Sequence, residues 1–303
     1  MKPSGKGNAM QQPIAAIVVT YNRADLLAEC LQALKAQTFQ GFDIIVVNNS
    51  STDRTEQMLA PRIAGNDVLY YNTGRNLGGA GGFNYGIRKA YEAGYDYCWL
   101  MDDDTIPEAN ALEKLLDAAK ALDWCFGFLV SKALWTDGTL CKMNTPLVPD
   151  GRRPTENTEE RPVPIQAATF VSFFTSRRIV SIVGLPIKEF FLWADDTNYC
   201  LRINRVKQGY WVPDSVVVHK MKSNQPVDIV TDAPERLGRY TMAYRNRYYN
   251  RRMEKRLGRY YLHLCRTAIR ILLLSEDNKT KRMKIMLEGV KQGRKFRPPV
   301  EYV

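Results

Sequence analysis

The chain has 303 residues, of which 45% are apolar and 25% carry a charged side chain. This size and balance are typical of a globular protein with a full hydrophobic core, arranged as one large domain or two modest ones. No stretch approaches the roughly 20 apolar residues of a membrane-spanning helix, and the first residues, "MKPSGKGNAMQQP", lack the apolar core of a signal peptide. We therefore expect a cytoplasmic protein, with a flexible N-terminus over residues 1–12.

The formal net charge of +11 is concentrated at one end of the chain. Residues 235–303 contain 19 Lys or Arg against 6 Asp or Glu, whereas residues 1–234 contain 24 against 26. The basic character thus belongs to the C-terminal segment alone. We expect a main domain over residues 13–234 and a basic helical segment over residues 235–303.

Six cysteines are scattered without a C-x-x-C pair, which argues against both a zinc knuckle and a disulfide framework. We expect these thiols to be reduced and mostly buried. The chain has only two histidines, His219 and His263, so the position of each is informative.

Between residues 14 and 122, β-branched apolar runs alternate with segments of helical apolar spacing. This alternation predicts an α/β fold with a mostly parallel central sheet and helices on both faces. The predicted strands are residues 14–20, 42–49, 67–72 and 95–101, and the predicted helices are residues 23–37, 51–60, 85–94 and 107–122, with a glycine-rich turn before the third helix.

Polar clusters follow all four predicted strands. In open α/β sheets, ligands bind beyond the carboxyl ends of the strands, so we expect a ligand site at this rim. Ordinary capped turns favour the same residue types, and that interpretation stays open here. The clusters are "TYNR" (20–23), "NNSSTD" (48–53), "NTGRNLGGAGGFN" (72–84) and "DDDT" (102–105).

The glycine cluster, which includes Gly78 and Gly79, would let backbone N–H groups approach a phosphate or a sugar closely. It is not a P-loop, because no G-K-[ST] follows, and it fits the dinucleotide-binding pattern poorly. A flexible loop explains the same residues equally well.

The aspartates of "DDDT" are more specific. Two carboxylates at positions i and i+2 after a rigid strand can hold one Mg²⁺ or Mn²⁺, which in turn binds diphosphate oxygens. A cation would also relieve the repulsion between adjacent carboxylates. The alternative is a solvated acidic turn in which Asp104 caps the next helix.

A second acidic pair, Asp195 and Asp196, follows the aromatic residues of "EFFLWADD". An apolar environment raises the pKa of a carboxyl group, which suits a general base near neutral pH. The alternative is that both aspartates only favour the dipole of the helix that they begin.

The order of these motifs resembles the inverting family 2 glycosyltransferases with the GT-A fold. The resemblance covers about residues 13–222 and rests on "TYNR", "VVNNSSTD", "NLGGAGGFNYG", "MDDD" and "WADD" followed by a later His. Within the family the pattern looks most like galactofuranosyltransferases, and rhamnosyltransferase-like members, which would use dTDP-rhamnose, share much of it. The resemblance implies an α/β GT-A fold with a helical segment after it.

The resemblance also implies roles for individual residues. Asp102, Asp104 and His219 would bind Mn²⁺ or Mg²⁺, and Asp196 would be the catalytic base. Trp193 and Asp195 would lie at the acceptor or form a platform for the sugar. The donor site would comprise Thr20, Tyr21, Asn22, Arg23, Asn48, Arg75, Asn76, Gly78, Gly79 and Asp103.

The implied activity is a single displacement with inversion. Asp196 would take the proton from an acceptor hydroxyl while a nucleotide diphosphate departs. A UDP donor carrying galactofuranose is favoured, with a glycan or lipid-linked glycan as acceptor, in cell-surface polysaccharide synthesis. Asn48 stands where many family members have Asp; its amide can still accept from uracil N3–H, and it can also donate a hydrogen bond to a base.

The basic segment interleaves Arg with Tyr and then gives an apolar helical face through Leu262, Leu264, Ile269, Leu272 and Leu273. A lipid-linked acceptor favours contact with an anionic membrane surface, which would place the protein peripherally on the cytoplasmic face of the cell membrane. Helices that only pack on the catalytic domain explain the pattern equally well, and a homo-oligomer stays open.

Two alternatives come from other classes. A D-x-D-x-T phosphatase would use Asp102 as its nucleophile, but the usual glycine after the second Asp is missing. A nucleic-acid-binding protein would rest on the basic segment alone, and it would leave the acidic pairs unexplained.

Overall fold

The computed structural model describes residues 13–148 and 162–303, so the predicted flexible N-terminus over residues 1–12 lies outside the described residues. The centre of this part of the chain is a nine-stranded sheet. The strands are β1 (Ile14–Thr20), β2 (Phe42–Asn48), β3 (Leu69–Asn72), β4 (Tyr97–Asp102), β5 (Thr105–Pro107), β6 (Phe128–Leu134), β7 (Val163–Ile165), β8 (Phe173–Ser176) and β9 (Gly209–His219).

The sheet has a parallel half and a mixed half. Its strand order is β3-β2-β1-β4-β8-β6-β9-β5, and β7 also pairs with β9. The first four of these strands run parallel to one another, β8 runs antiparallel to both β4 and β6, and β6 runs parallel to β9. The four strands predicted from the sequence are the parallel half, and their carboxyl ends lie at one rim.

Helices cover both faces of the sheet, as the alternating pattern predicts. Along β1, Ile14, Ala16 and Val18 face one core with α1, α2 and α4, whereas Ala15 and Ile17 face the other core with α3, α5 and α6. Because successive strand residues point to opposite faces, an uninterrupted apolar strand fills both cores. These helices are α1 (Ala24–Lys35), α2 (Thr55–Ala64), α3 (Gly78–Ala93), α4 (Ala111–Ala121), α5 (Arg177–Val183) and α6 (Asp195–Asn204).

The start of α3 differs from the sequence prediction. The prediction of a glycine-rich turn before residue 85 is wrong, because α3 already begins at Gly78 and includes the glycines. A Cβ at Gly82 would lie 2.5 Å from Val19 Cγ1, and one at Gly86 would lie 2.6 Å from Ile17 Cγ2. The missing side chains therefore let α3 pack directly on β1, and this contact outweighs the low helix propensity of glycine.

The C-terminal segment is helical, as predicted. It has its own apolar cluster, in which Tyr244, Leu264, Ile271 and Val290 are buried. The segment also contacts the rest of the chain, because Asn246 and Asn250 bond to the loop before α6. Its helices are α7 (Arg239–Met253), α8 (Leu257–Leu274) and α9 (Lys279–Lys295).

Candidate metal and donor site

Asp102, Asp104 and His219 converge at the rim of the sheet. Each offers one ligand atom, and these three atoms lie within 4.8 Å of one another. Asp102 ends β4 and His219 ends β9. The short strand β5 pairs Thr105 with His219, so the antiparallel ladder brings the histidine beside the residue that follows Asp104. The three residues predicted as metal ligands thus form one cluster.

The ring of His219 is held by a residue that sequence reasoning missed. Asn144 Oδ1 lies 2.8 Å from His219 Nδ1, and Asn144 Nδ2 donates to Thr169 Oγ1 at 2.8 Å. Because the amide nitrogen of Asn144 is used for Thr169, its oxygen accepts from the Nδ1–H group of His219. The Nε2 lone pair then faces Asp104, whose Oδ1 lies 3.0 Å away. This arrangement is typical of a metal-binding histidine and its supporting partner.

The carboxylates of the cluster affect one another. Burial and the neighbouring Asp104 raise the pKa of Asp102 to about 8. Burial would raise the pKa of Asp104 as well, but the hydrogen bond and charge of His219, which require a proton on Nε2, and the hydrogen bond and charge of Arg23 hold it below its usual value. Crowded, buried carboxylates with an imidazole favour a bound cation; the carboxylates suit Mg²⁺ and Mn²⁺, and the imidazole ligand favours Mn²⁺ of the two.

The carboxylate of Asp103, which follows β4, bonds to residues at the carboxyl end of β1. Its Oδ2 accepts from Thr20 Oγ1 at 2.7 Å and from the Tyr21 backbone N at 3.4 Å, and its Oδ1 accepts from Arg23 Nη1 at 3.2 Å. Arg23 also donates to Asp104 Oδ2 at 2.5 Å. Burial raises the pKa of Asp103 to about 6, and the charge of Arg23 partly offsets that rise. Four residues predicted to bind the donor therefore form one network with Asp104.

Two other predicted donor residues, Asn22 and Asn48, lie at the ends of β1 and β2. Asn22 Oδ1 accepts from the Thr52 backbone N at 2.7 Å, which joins the first two strand ends. Asn48 is buried, and its amide bonds to the Tyr70 hydroxyl at 2.9 Å and to the Ser51 backbone N at 2.8 Å. The side chains of Asn22 and Asn48 are thus both hydrogen-bonded to other residues of the protein.

The glycine cluster serves two different purposes. Asn76 Oδ1 accepts from the Gly78 backbone N at 2.8 Å, and Arg75 beside it is exposed. Gly78 has a φ of +70°, and a Cβ there would lie 2.1 Å from the Phe191 carbonyl oxygen. A Cβ at Gly79 would have no neighbour within 4 Å. Gly78 is therefore required by packing, whereas Gly79 leaves open space at the rim.

The second acidic pair begins α6. Asp195 is buried and Asp196 is half-buried. Burial and the charge of Asp196 raise the pKa of Asp195 to about 8. Burial also raises the pKa of Asp196 to about 6, although bonds from Thr197 and the charge of Arg247 oppose the rise. A carboxyl group whose pKa is raised toward neutrality, as that of Asp196 is, suits a general base.

The aromatic residues before this pair differ in burial. The Phe190 ring is fully buried beside Tyr249. The half-buried Trp193 ring lies 5.3 Å from the Tyr240 ring in an edge-to-face arrangement. The predicted platform at Trp193 therefore has one edge against α7.

The predicted site residues fall into two groups, and the glycine cluster contacts the loop that leads to the second. The cluster of Asp102, Asp104 and His219 forms the first group with the network of Asp103, and the pair at the start of α6 forms the second. The Ala80 backbone N donates to the Phe191 carbonyl oxygen at 3.3 Å, which connects the glycine cluster to the loop before Asp195.

Comparison with known proteins identifies the family. The model of glycosyl transferase family 2 matches residues 15–172, which is just over half of the chain. The chain belongs to this family. It is therefore a glycosyltransferase, and family membership is consistent with an inverting mechanism. The phosphatase and nucleic-acid-binding alternatives lose their support.

Curated relatives of this glycosyltransferase include galactofuranosyltransferases. Galactofuranosyltransferase GlfT1 of Mycobacterium tuberculosis is 39% identical over 114 residues, which are 37% of each chain. A poly-beta-1,6-N-acetyl-D-glucosamine synthase of Staphylococcus aureus is 30% identical over 98 residues, 32% of this chain and 23% of that one. The matched segment thus spans at most about two fifths of these relatives.

Solved structures confirm the predicted GT-A fold. The structure of S. aureus TarS matches 93% of this chain and 44% of its own, with a TM-score of 0.56 and 16% identity. GalNAc-T7, solved with UDP, GalNAc and Mn²⁺, matches 92% of this chain and 55% of its own, with a TM-score of 0.63 and 14% identity. Within the described parts of this glycosyltransferase, no helix is both long and apolar enough to cross a membrane.

Proposed function

We propose that this glycosyltransferase moves galactofuranose from a UDP-linked donor to a hydroxyl of a glycan or lipid-linked glycan, in cell-surface polysaccharide synthesis. The observation that carries the proposal is the convergence of Asp102, Asp104 and His219 at the strand rim of a family 2 chain. Two carboxylates with one imidazole suit a divalent cation, and the acidic pair of α6 supplies a base.

Asp102, Asp104 and His219 would hold Mn²⁺ or Mg²⁺, and Asn144 would keep the imidazole in the ligating tautomer. When bound, the cation supplies positive charge for the diphosphate oxygens of the donor. Arg23 now contacts Asp103 and Asp104, and its guanidinium is half-exposed, so it is placed to contact a diphosphate as well. The Mn²⁺ in the GalNAc-T7 structure supports this assignment.

Asp196 would be the catalytic base. Its pKa is raised toward neutrality, so the carboxylate is basic enough to take the proton of an attacking hydroxyl. A base on the face opposite the leaving diphosphate gives inversion at the anomeric carbon. Asp195 and Trp193 lie beside it and would contact the acceptor or the sugar, and the rim from Thr20 to Arg23, Asn48 and the loop from Arg75 to Gly79 would bind the donor.

The choice of donor rests on relatives. GlfT1 is by name a galactofuranosyltransferase, and a TarS structure contains UDP-GlcNAc, which supports a UDP-linked sugar. The alternative is rhamnose from dTDP-rhamnose. The matched segment covers only 37% of GlfT1, so the acceptor of that protein does not define the acceptor here.

The test is a donor panel with the full chain. UDP-galactofuranose, other UDP-sugars and dTDP-rhamnose are incubated with Mn²⁺, Mg²⁺ or EDTA, and sugar release is measured by mass spectrometry. We expect turnover of UDP-galactofuranose with Mn²⁺ and its loss with EDTA. Turnover of a different donor would overturn the sugar assignment, and undiminished turnover in EDTA would overturn the metal assignment.

A lipid-linked acceptor would place this protein at a membrane, and α8 has a suitable surface. One face of α8 is buried through Tyr260, Leu264 and Ile271. On the opposite face, Leu262, Ile269 and Leu273 are 53%, 55% and 74% exposed. The single apolar face predicted from the sequence is therefore wrong in one respect, because Leu264 lies on the buried face. Leu262, Ile269 and Leu273 form an exposed apolar stripe on α8. Because the other face of α8 already packs on the described chain, an exposed apolar stripe of this kind indicates contact with a partner or a membrane.

The exposed residues Arg259 and Arg266 lie along one side of this stripe, at the same seven-residue spacing as Leu262 and Ile269. We propose that the stripe inserts into an anionic membrane surface, with residues 235–303 as the membrane-facing segment and residues 13–234 as the catalytic domain. Apolar insertion beside arginines is how interfacial helices bind anionic lipid.

Vesicle co-sedimentation tests this surface. The chain should sediment with phosphatidylglycerol–phosphatidylcholine vesicles at low salt and much less with phosphatidylcholine alone. Leu262→Ser with Leu273→Ser should lose the lipid binding, whereas Ile182→Ser, at a similarly exposed residue on α5, should keep it. Absence of binding at low salt would overturn the proposal. A change from dimer to monomer in the double variant, without lipid binding, would assign the stripe to a second copy instead.

A further inference from the structure

The loop that leads into the acidic pair has an unusual backbone. Phe191, Trp193 and Ala194 have φ values of +62°, +66° and +64°, and none of them is glycine. At Phe191 the Leu192 backbone N donates to the Phe190 carbonyl oxygen at 2.7 Å, which closes a tight γ-turn. Three such residues within four positions are costly, and backbone conformations of this kind persist only when their surroundings hold them.

Asn246 of α7 holds this loop. Its Nδ2 group donates to the carbonyl oxygens of Phe190, Leu192 and Trp193, at 2.9, 3.0 and 2.9 Å. Asn246 is fully buried. A side-chain amide has only two N–H bonds, so three carbonyls at this distance share them, and none of the three oxygens is left without a donor.

Neighbouring residues on α7 extend the contact. Asn250 Nδ2 donates to the Ala194 carbonyl oxygen at 2.9 Å, and Asn250 Oδ1 accepts from Asn198 of α6 at 2.9 Å. Arg245 donates to the Glu189 and Phe190 carbonyl oxygens at 2.7 and 3.1 Å. Every carbonyl from residue 189 to residue 194 except that of Phe191 is therefore bonded to a side chain of α7.

The remaining carbonyl, that of Phe191, contacts the glycine cluster. The Phe191 oxygen accepts from the Ala80 backbone N at 3.3 Å and lies where a Cβ of Gly78 would be. One short loop therefore touches the glycine cluster at its centre and begins the helix of Asp196 at its end. A shift of this loop would therefore change both its contact with the glycine cluster and the position of Asp196 at the start of α6.

We infer that Asn246 and Asn250 are positioning residues, which act through the loop of residues 190–194 to place Asp196 and the glycine cluster for the reaction. This inference rests on the proposed role of Asp196 as the base. It assigns part of the C-terminal segment to the catalytic site, whatever the rest of that segment binds.

The charged groups near Asp196 come from two helices. Asp195 precedes it on α6, and the charge of Arg247 acts on it from α7, between the two asparagines. Releasing the loop would admit water to this pair and change its distance from Arg247. Better solvation favours the ionised carboxylate, so the base should then titrate at lower pH.

The experiment compares Asn246→Ala and the milder Asn250→Ala with Asn204→Ala. Asn204 is the matched control, because its amide also donates to two backbone carbonyls, those of Ile165 and Gln166, at the far end of α6. Hydrogen exchange is followed in a peptide covering residues 189–198. Turnover is measured with UDP-galactofuranose, or with dTDP-rhamnose if that donor is the one turned over, and UDP binding is measured by calorimetry.

We expect faster exchange of the peptide in both α7 variants. We also expect a loss of kcat of at least tenfold for Asn246→Ala, a smaller increase in KM for the donor and in Kd for UDP through the glycine cluster, and an acidic limb of the pH profile at lower pH. Asn204→Ala should show none of these changes per folded molecule. Unchanged exchange, or faster exchange with the kcat and pH profile of the control, would overturn the inference. Full activity of Asp196→Asn would instead overturn the base assignment on which it rests.

Discussion

His219 Nε2 lies 3.0 Å from Asp104 Oδ1. Because Asn144 occupies the Nδ1–H group, the nitrogen that faces the carboxylate offers a lone pair. Two acceptors at this distance require a positive species between them, either a proton or a metal ion. The pair is thus arranged to exchange a proton for a metal ion, so the cluster depends on the amide of Asn144 as well as on the ligands themselves.

We therefore predict that Asn144→Ala weakens Mn²⁺ binding about 10–100-fold, the usual cost of losing a residue that bonds to a metal ligand. Calorimetric titration with Mn²⁺ in the presence of UDP measures the effect. Asn224→Ala is the control, since Asn224 bonds to the Lys142 backbone N and not to His219. Equal affinities in the two variants would show that His219 needs no support from Asn144.

Asp196→Asn should lower turnover by about 10²–10⁴-fold, the usual contribution of a general base. The amide has nearly the same shape, and the metal cluster is formed by other residues, so binding of UDP and Mn²⁺ should stay within a few fold of wild type. Rapid-quench kinetics and calorimetry measure the two quantities. The exposed Asp117→Asn controls for the change of charge.

Activity should also depend on pH in a defined direction. A base must be ionised to accept a proton, and the pKa of Asp196 is raised to about 6 by burial. Turnover should therefore increase as the pH rises through about 6, and not near the ordinary value of about 4 for an aspartate. A pH series of kcat measures this limb. A flat profile between pH 5 and 7 would contradict the assignment.

The two first glycines of α3 should respond differently to the same substitution. Gly78→Ala should cost at least about 2 kcal/mol, because it combines a positive φ with a clash against backbone. Gly79→Ala should keep or slightly increase stability, since alanine is the better helix former and the space is open. Thermal unfolding measures both. If Gly79→Ala also weakens UDP binding, the open space at Gly79 belongs to the donor.

The parallel half of the fold and the two carboxylates of the metal cluster follow from local sequence patterns, whereas the assignment of His219 rests only on the family resemblance. β1 and β4 are uninterrupted apolar runs, and polar residues at their ends must meet at one rim. The start of α3 was not predictable from helix propensity, yet Gly78, Gly82 and Gly86 recur every four residues. That spacing puts them on one helix face, a signal for close packing rather than for a turn.

The supporting residues could not be found in this way. Asn144 acts on His219 across 75 positions, and Asn246 acts on Phe190 across 56. An isolated asparagine has no periodicity, and its sequence neighbours do not indicate which distant carbonyl or ring it will bond to. Only the folded arrangement of β9, α6 and α7 reveals these partners.

The left-handed residues of the loop before α6 also bear on protein engineering. Glycine adopts such a conformation without penalty, so Ala194→Gly would remove an unfavourable backbone energy of about 1 kcal/mol or more. A screen for thermal stability would favour this substitution, while a screen for turnover would reject it if a rigid loop is what the reaction needs. The methyl group of Ala194 would then lower stability while it supports activity, a trade-off that is common in enzymes.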